Sequence, residues 1–344
     1  RKVDLVWGTT PPIFQGPTAW LLARLKGVPF LLEVRDLWPA FAVAVGVLKN
    51  KTLIRLSEWL ERFLYKHADL VMVNSPGYIE HVKARGAREV ALIPNGADPA
   101  MFDPAEDGAA FRQAQGLEDR FVVLYAGAHG LSNDLDVVLD AAALLKDNPA
   151  IRIVFLGDGK EKPRLQIRAT EMGLTNVLFL PPVPKSAMAE ALAASDACLA
   201  ILKPIELYKT TYPNKVFDYM AAGRPVILAI DGVVRQVIEE AQAGISVTPG
   251  DPVSMAKAIT DLASNPAHFA SMTFQLKPAL KTQRVITDSS RSAGTFARDF
   301  TAWEFFDCSS TAFSPPWWPA AILRIGAKLR AMKASSAEDR KSVV

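Results

Sequence analysis

Cysteine is nearly missing from this chain: the 344 residues hold two, Cys198 and Cys308, and neither sits in a C-x-x-C pair or a Cys/His cluster. That argues against a disulfide scaffold and structural zinc, and it fits a reducing compartment. Long apolar runs are missing too. The longest covers residues 40–48, about half of the roughly 20 residues that span a bilayer, so no transmembrane helix is expected. No sign of charge dominates, since 39 Lys and Arg stand against 36 Asp and Glu for a net +3; charge therefore gives no reason to expect nucleic acid as a partner. The four histidines, His67, His81, His129 and His268, share no metal-ligand spacing. A Gly-x-Ser-x-Gly elbow, a Walker loop and an Asp-x-Asp motif beside a strand are absent. No metal and no other cofactor is expected. No repeat of fixed period is present.

What is there suits roughly two domains of about 150 residues each, with enough apolar side chains for real cores. The chain opens at Arg1 straight into a strand-like run at residues 3–7, with no initiator Met and no opening cap. It reads as N-terminally truncated, and an upstream signal peptide or anchor is left open. Further strand-like runs at 29–34, 70–74, 89–93, 121–126, 151–156, 177–180, 197–201 and 225–230 alternate with amphipathic segments such as 53–67 and 136–145. Strand then helix, repeated, predicts parallel sheets in an α/β architecture. Three prolines and a glycine between Pro94 and Pro104 break the rhythm, which predicts a boundary there. The expected division is 1–105 as the C-terminal portion of a first domain, 106–272 as a second, and 273–344 as a divergent tail. In that tail the alternation stops, residues 322–333 suit a basic amphipathic segment, and the final six residues, 339–344, coincide with the translation of a common sequencing adapter, so an artefactual end is expected.

The most informative stretch is Thr211-Tyr212-Pro213-Asn214-Lys215-Val216-Phe217-Asp218-Tyr219-Met220-Ala221-Ala222-Gly223-Arg224-Pro225-Val226. Pro213 and Asn214 suit a helix start, Gly223 suits its stop, and Pro225-Val226 opens the next buried strand. A short helix then points its N-terminus at a loop, where free N–H groups and Lys215 suit a diphosphate. Asp218 lies one turn beyond Asn214 and Lys215 on the same face, placed to accept from ribose hydroxyls. The plain alternative is a capped helix with a local Lys215 to Asp218 ion pair.

Four other segments carry candidate residues. Val123-Leu124-Tyr125-Ala126-Gly127-Ala128-His129-Gly130 runs a buried strand into a small-residue loop whose amides suit phosphate, although Gly127 and Gly130 also suit simple turns. Gly157-Asp158-Gly159 and Pro181-Pro182-Val183-Pro184 each follow a strand. In the first half, Pro29-Phe30-Leu31-Leu32-Glu33-Val34-Arg35-Asp36-Leu37-Trp38-Pro39 delivers two charges and an indole to a strand's carboxyl end; an Arg35 to Asp36 surface turn is the bland reading. Asn95-Gly96 stands in the expected boundary.

Together these segments resemble family 4-type glycosyltransferases, most closely the bacterial surface-polysaccharide enzymes of N-acetyl-fucosamine transferase type, over roughly residues 1–270. Stretch 211–226 is similar to the family signature that binds the donor ribose, with Asp218 in place of the usual glutamate. The resemblance implies a GT-B fold, two Rossmann-like doubly wound domains facing a cleft, the first incomplete. It implies donor contacts from Gly127, His129, Gly130, Gly157, Val183, Asn214, Lys215 and Asp218, and acceptor-side contacts from Arg35, Asp36 and Asn95, with Lys215 and Asp36 closest to the chemistry. Relatives place Arg and Lys where this chain has Ala128 and Asn133, so phosphate charge passes to Lys215, amides and His129. The family's first glutamate falls at Thr210, and Glu206 is out of register, so neither inherits the sugar contact.

The implied activity is retaining transfer of a hexosyl or N-acetylhexosaminyl group from a nucleotide diphosphate sugar, UDP-linked by expectation, to a polyprenyl-linked or glycan acceptor in lipopolysaccharide or capsule synthesis. No protein nucleophile is demanded, because a leaving phosphate oxygen takes the acceptor proton on the same face. A peripheral contact at the inner face of the plasma membrane is expected through Phe41, Trp59, Phe63 and Lys66, although Trp59 and Phe63 at i,i+4 also suit a core. Two rival readings stay open: a sugar-nucleotide epimerase of the same fold, and a non-catalytic nucleotide-binding remnant lacking the Gly-rich loop that in relatives precedes residue 1.

Overall fold

The computed structural model describes residues 3–98, 101, 102, 104 and 106–265. The expectations for the tail, residues 273–344, fall outside the described residues.

The chain divides into two units, one reaching Pro94 and the other starting at Asn95. That division comes earlier than the expected one after residue 105, because Ala97 and Phe102 are buried in the core of the second unit. Each unit carries one sheet, and every strand pairing is parallel.

In the first unit β1 (Val6–Thr10), β2 (Phe30–Val34), β3 (Leu70–Val73) and β4 (Val90–Leu92) lie in sequence order. β2 and β3 read as apolar runs because both faces of each strand are covered. Helix Gln15–Lys26 packs on β1, and helix Lys51–His67 follows β2. Asn50 starts the latter by accepting from the amides of Thr52 and Leu53, which satisfies two N–H groups that precede the helical ladder. Helix Lys51–His67 is tied to helix Ile79–Ala84 through Glu61, which is 2% exposed and pairs with His81 at 2.9 Å and Arg85 at 3.0 Å. A buried carboxylate needs such partners to remain charged.

In the second unit β5 (Phe121–Ala126), β6 (Ile151–Leu156), β7 (Val177–Leu180), β8 (Ala197–Ile201), β9 (Val226–Ala229) and β10 (Gly244–Ser246) run in the order β10-β9-β8-β5-β6-β7. Alternation along β5 divides the core: Val122, Leu124 and Ala126 join one buried cluster, whereas Val123 and Tyr125 join the other. Helix Asn214–Ala221 seals the first cluster with Val216, Phe217 and Met220, and helices Leu135–Leu144 and Pro252–Ser264 seal the second. This is a doubly wound sheet whose order reverses between β5 and β8. In open α/β sheets, ligands bind beyond the carboxyl ends of the strands at such a reversal.

Candidate functional site

Two loops leave the reversal. The one after β5 carries Gly127, His129 and Gly130; the one after β8 leads through Glu206–Thr210, a single 3-10 turn, to helix Asn214–Ala221. They are stitched together by Tyr208, which donates to Ser132 Oγ at 2.5 Å, and by the amide of Lys203, which donates to the Ser132 carbonyl at 2.9 Å. The sequence thus brings its two best motifs side by side.

Lys215 sits where they meet. Its Nζ lies 4.0 Å from the centre of the Tyr125 ring and 2.9 Å from the point a Cβ on Gly127 would occupy. Gly127 also has φ +144°, so this position demands glycine for backbone conformation and for the lysine that fills its side. No carboxylate of the described residues pairs with Lys215. Burial pulls the ammonium pKa down to about 7, because a charge taken from water without a counter-ion favours its neutral form.

The helix behind it begins without a side-chain cap at Pro213, leaving its first amides outside the helical ladder. Asn214 accepts from the Asn95 amide group, so two expected site residues meet within the second unit. Tyr219 holds the other end of the helix on β5: its hydroxyl donates to the Ala126 carbonyl and accepts from the Ala126 amide, both at 3.0 Å. Gly223, with φ +66°, ends the turn as expected.

The loop after β5 departs from expectation in three respects. The amides of Gly127 and His129 donate to the carbonyls of Leu156 and Asp158, at 3.0 and 2.8 Å, so neither is available to a phosphate. His129 is fully buried among Tyr125, Phe155 and Phe179, with neither ring nitrogen hydrogen-bonded among the described residues. Burial first, then the charges of Lys162 and Lys215, lower its pKa to about 4 against the pull of Asp158, so it is neutral at pH 7 and offers no charge to a diphosphate. Gly157, expected as a donor contact, is explained by loop packing: at φ +142° a Cβ there would lie 2.0 Å from the Gly127 carbonyl oxygen. Gly130 is different. A Cβ on it would meet only Asn133 Nδ2, at 3.6 Å, so its backbone borders open space.

Ala128 and Asn133, which replace the family's basic pair, have a structural role: the Ala128 carbonyl accepts from Tyr125 Oη at 2.7 Å and from Asn133 Nδ2 at 2.9 Å. Lys162 went unread in the sequence. Its ammonium donates to the carbonyls of Gly157 and Leu180 at 2.7 and 2.8 Å, capping the ends of β6 and β7. Val183, half-buried against the core past β7, lies two strands from β5. Glu206 is exposed and paired with Lys209 at 2.6 Å, while Thr210 donates to the Leu207 carbonyl.

The acceptor-side candidates belong to the first unit. The Arg35 amide donates to the Thr10 carbonyl and its carbonyl accepts from Asn74 Nδ2, at 2.9 and 3.1 Å, fixing the turn that presents Asp36. Desolvation lifts the Asp36 carboxyl to about 6 against the opposing pull of Arg35; the side chain is nonetheless exposed, and water access limits that rise. Among the described residues no three His, Cys, Asp or Glu side chains gather as a metal set.

Comparison with known proteins speaks to the fold and its family. Residues 1–96 match a family described as a glycosyl transferase 4-like domain, and residues 120–265 match glycosyl transferases group 1. The glycosyltransferase WbjE of Pseudomonas aeruginosa is 26% identical over 268 residues, which cover 76% of this chain and 66% of WbjE. WcaI of Escherichia coli, named for colanic acid biosynthesis, is 27% identical over 238 residues, covering 67% of this chain and 58% of WcaI. The chain thus spans less than two thirds of either relative. Among solved structures, Anabaena HepE in complex with UDP-glucose superposes with a TM-score of 0.66 at 19% identity, over 80% of this chain and 73% of HepE. A likeness at that identity carries the fold alone, and the fold is GT-B.

Proposed function

From the 4-like and group 1 glycosyltransferase domains that this chain carries in succession, we propose a retaining glycosyltransferase that moves a hexosyl or N-acetylhexosaminyl group from a UDP-linked donor to a lipid-linked or glycan acceptor in bacterial surface-polysaccharide synthesis. The observation that carries this reading is Lys215, an ammonium with no carboxylate partner among the described residues, beside the reversal point of a doubly wound sheet.

A diphosphate entering there supplies the missing counter-charge. As the bond from the sugar to the diphosphate breaks, negative charge grows on the leaving oxygens, and Lys215 together with the helix-start amides stabilises it. The open backbone at Gly130 lets the donor approach the loop closely. Asp218 serves the ribose, and Asn95 steadies Asn214 at the helix start. On the acceptor side, Asp36 orients an acceptor hydroxyl and Arg35 meets an anionic group. The leaving phosphate takes the acceptor proton on the same face, so no protein nucleophile is assigned. The names of WbjE and WcaI support the polysaccharide setting, and HepE's UDP-glucose supports the donor class.

Calorimetric titration with UDP and with NAD tests the donor class. UDP should bind with a Kd in the micromolar range or below, about −8 kcal/mol, and NAD should not. Tight NAD binding with no UDP response would overturn the reading in favour of a dehydrogenase-like site.

A further inference from the structure

Alternation at the end of β5 puts the side chain of Tyr125 and the missing side chain of Gly127 on one side of the backbone; a Cβ on Gly127 would lie 3.8 Å from Tyr125 Oη. The Lys215 ammonium occupies the slot between them, 4.0 Å from the centre of the Tyr125 ring and 2.9 Å from that same Cβ point. Both walls of the slot are fixed. The Tyr125 hydroxyl donates to the Ala128 carbonyl at 2.7 Å, and the ring packs toward Phe155 at 6.2 Å and His129 at 5.9 Å, so its orientation is set from behind and from its edge. On the helix, Tyr219 stands four residues after Lys215 and so on the same helix face. Its hydroxyl exchanges two hydrogen bonds of 3.0 Å with the backbone of Ala126. Ala126 lies between the two residues that frame the slot, so the helix that carries Lys215 is tied to β5 at the slot itself.

An ammonium taken from water needs an electrostatic partner. The titratable groups near this one are His129 in the loop after β5, Lys162 and Asp158 in the loop after β6, and Asp218 one turn along its own helix. His129 is neutral at pH 7, Lys162 is a like charge, and no carboxylate pairs with Lys215 among the described residues. What touches the ammonium is the face of a ring. A separation of 4.0 Å falls well within the distance of about 6 Å over which an aromatic face attracts a cation. The phenol itself is neutral, since burial pushes its pKa above the ordinary tyrosine value. The attraction therefore comes from the negative face of the ring and not from a phenolate.

We propose that Tyr125 is a positioning residue of the donor site: its ring face holds the Lys215 ammonium, charged and in place, for an incoming diphosphate. The contact is kept when the donor binds, with the ring on one side of the ammonium and phosphate oxygens on the other. Linkage then fixes what the ring does to affinity. Where Lys215 is already protonated the ring adds nothing, because it acts on the free and the bound protein alike. At higher pH it raises affinity, because it favours the charged form that the diphosphate needs. A ring that only filled space would act equally at every pH. The role rests on the diphosphate reading above, but the ring's hold on Lys215 is measurable without any donor.

Fluorine withdraws electron density from a ring face while nearly keeping its shape, so pentafluorophenylalanine at position 125, set beside Tyr125→Phe, separates ring charge from packing. The first readout is the Lys215 titration in the ligand-free full chain, by carbon-13 NMR of the lysine ε carbons, with Lys215→Met identifying the resonance. Tyr125→Phe should titrate within about 0.3 pH unit of wild type, and the fluorinated ring about one unit lower, a tenfold loss of proton affinity. The second readout is UDP calorimetry. All three proteins should bind alike at about pH 5.5, and the fluorinated one about tenfold more weakly than the others at about pH 8. Mono- and difluorinated rings give the same series in smaller steps where the full replacement does not fold. An unchanged midpoint on fluorination overturns the proposal, as does an equal fall with Tyr125→Phe, which would move the effect to the hydroxyl and Ala128. A fluorinated chain that binds UDP more tightly at pH 5.5 and equally at pH 8 also overturns it, because the ring would then compete with the diphosphate. A midpoint that falls with fluorination while none of the proteins binds UDP supports the hold on Lys215 and refutes the donor reading alone.

Discussion

Replacing Lys215 with methionine keeps the length of the side chain and removes its charge. The folded protein holds this ammonium at a pKa of about 7 against 10.5 for an ordinary lysine, a difference of about 3.5 units or about 5 kcal/mol. That figure is an upper limit, because the side chain is only half-buried and lies over the Tyr125 face. The sign follows from linkage. Between pH 7 and 10.5 the unfolded chain binds the proton more tightly than the folded one, so the penalty is full below 7 and fades as pH rises toward 10.5. Ligand-free Lys215→Met should therefore melt above wild type at pH 6, with the gap closing by pH 10. Binding should move oppositely. A bound diphosphate raises the lysine pKa, so wild-type UDP affinity should be flat below pH 7 and fall up to about tenfold per unit above it, with proton uptake visible as a buffer-dependent heat. Lys215→Met should bind UDP more weakly and lose both the slope and the uptake. In transfer assays the same substitution should cost about 3 kcal/mol of transition-state stabilisation, on the order of a hundredfold in kcat. A correctly folded variant with unchanged kcat, or a wild type whose UDP affinity is level from pH 6 to 9, would refute the assignment.

Asp218→Asn should chiefly raise the donor KM, because ribose contacts change little between ground and transition states; a fall in kcat alone would place Asp218 in the chemistry instead. His129→Phe should keep UDP affinity within about threefold, because the ring is buried and uncharged at pH 7. It should also blunt the acid destabilisation that wild type suffers as pH falls from 6.5 to about 4, measured by urea unfolding across that window; a hundredfold loss of UDP affinity would return His129 to the donor site. Gly157→Ala should destabilise the second unit by about 2 kcal/mol or more, since its Cβ would collide with the Gly127 carbonyl at positive φ. An unchanged urea midpoint would show that the loops part without cost.

Much of this was legible because parallel strands covered on both faces leave a strong signal. The runs at Phe121–Ala126, Ile151–Leu156, Val177–Leu180 and Ala197–Ile201 appear with the bounds that their apolar residues suggested. β10 was not read, because Gly244, Ile245 and Ser246 form a three-residue edge strand whose residues are all half-buried, and so short a segment has no period to detect. The meeting of Lys215 with the loop after β5 was readable from helix-start and glycine signals; the Tyr125 ring beneath it was not, since strand alternation alone does not say which neighbour a side chain supports. His129 and Gly157 pack against neighbouring structure for one reason. Both lie in ligand-type loops, but whether a loop residue faces a ligand or the adjoining loop is set by the spacing of β5 and β6. That spacing brings Gly157 against Gly127 and Gly159 against His129. Lys162 carried no sequence signal that distinguishes a carbonyl-capping lysine from a solvated one.

In the proposed reading the donor diphosphate sits at the reversal point of the second sheet, against Lys215. A crystal structure of this chain with UDP bound tests it most directly. A phosphate oxygen is expected within about 3.2 Å of Lys215 Nζ, with the diphosphate at the start of helix Asn214–Ala221 beside Gly130 and the ribose hydroxyls at Asp218. UDP bound elsewhere in the second unit, with Lys215 still over Tyr125 and contacting no phosphate, would contradict it.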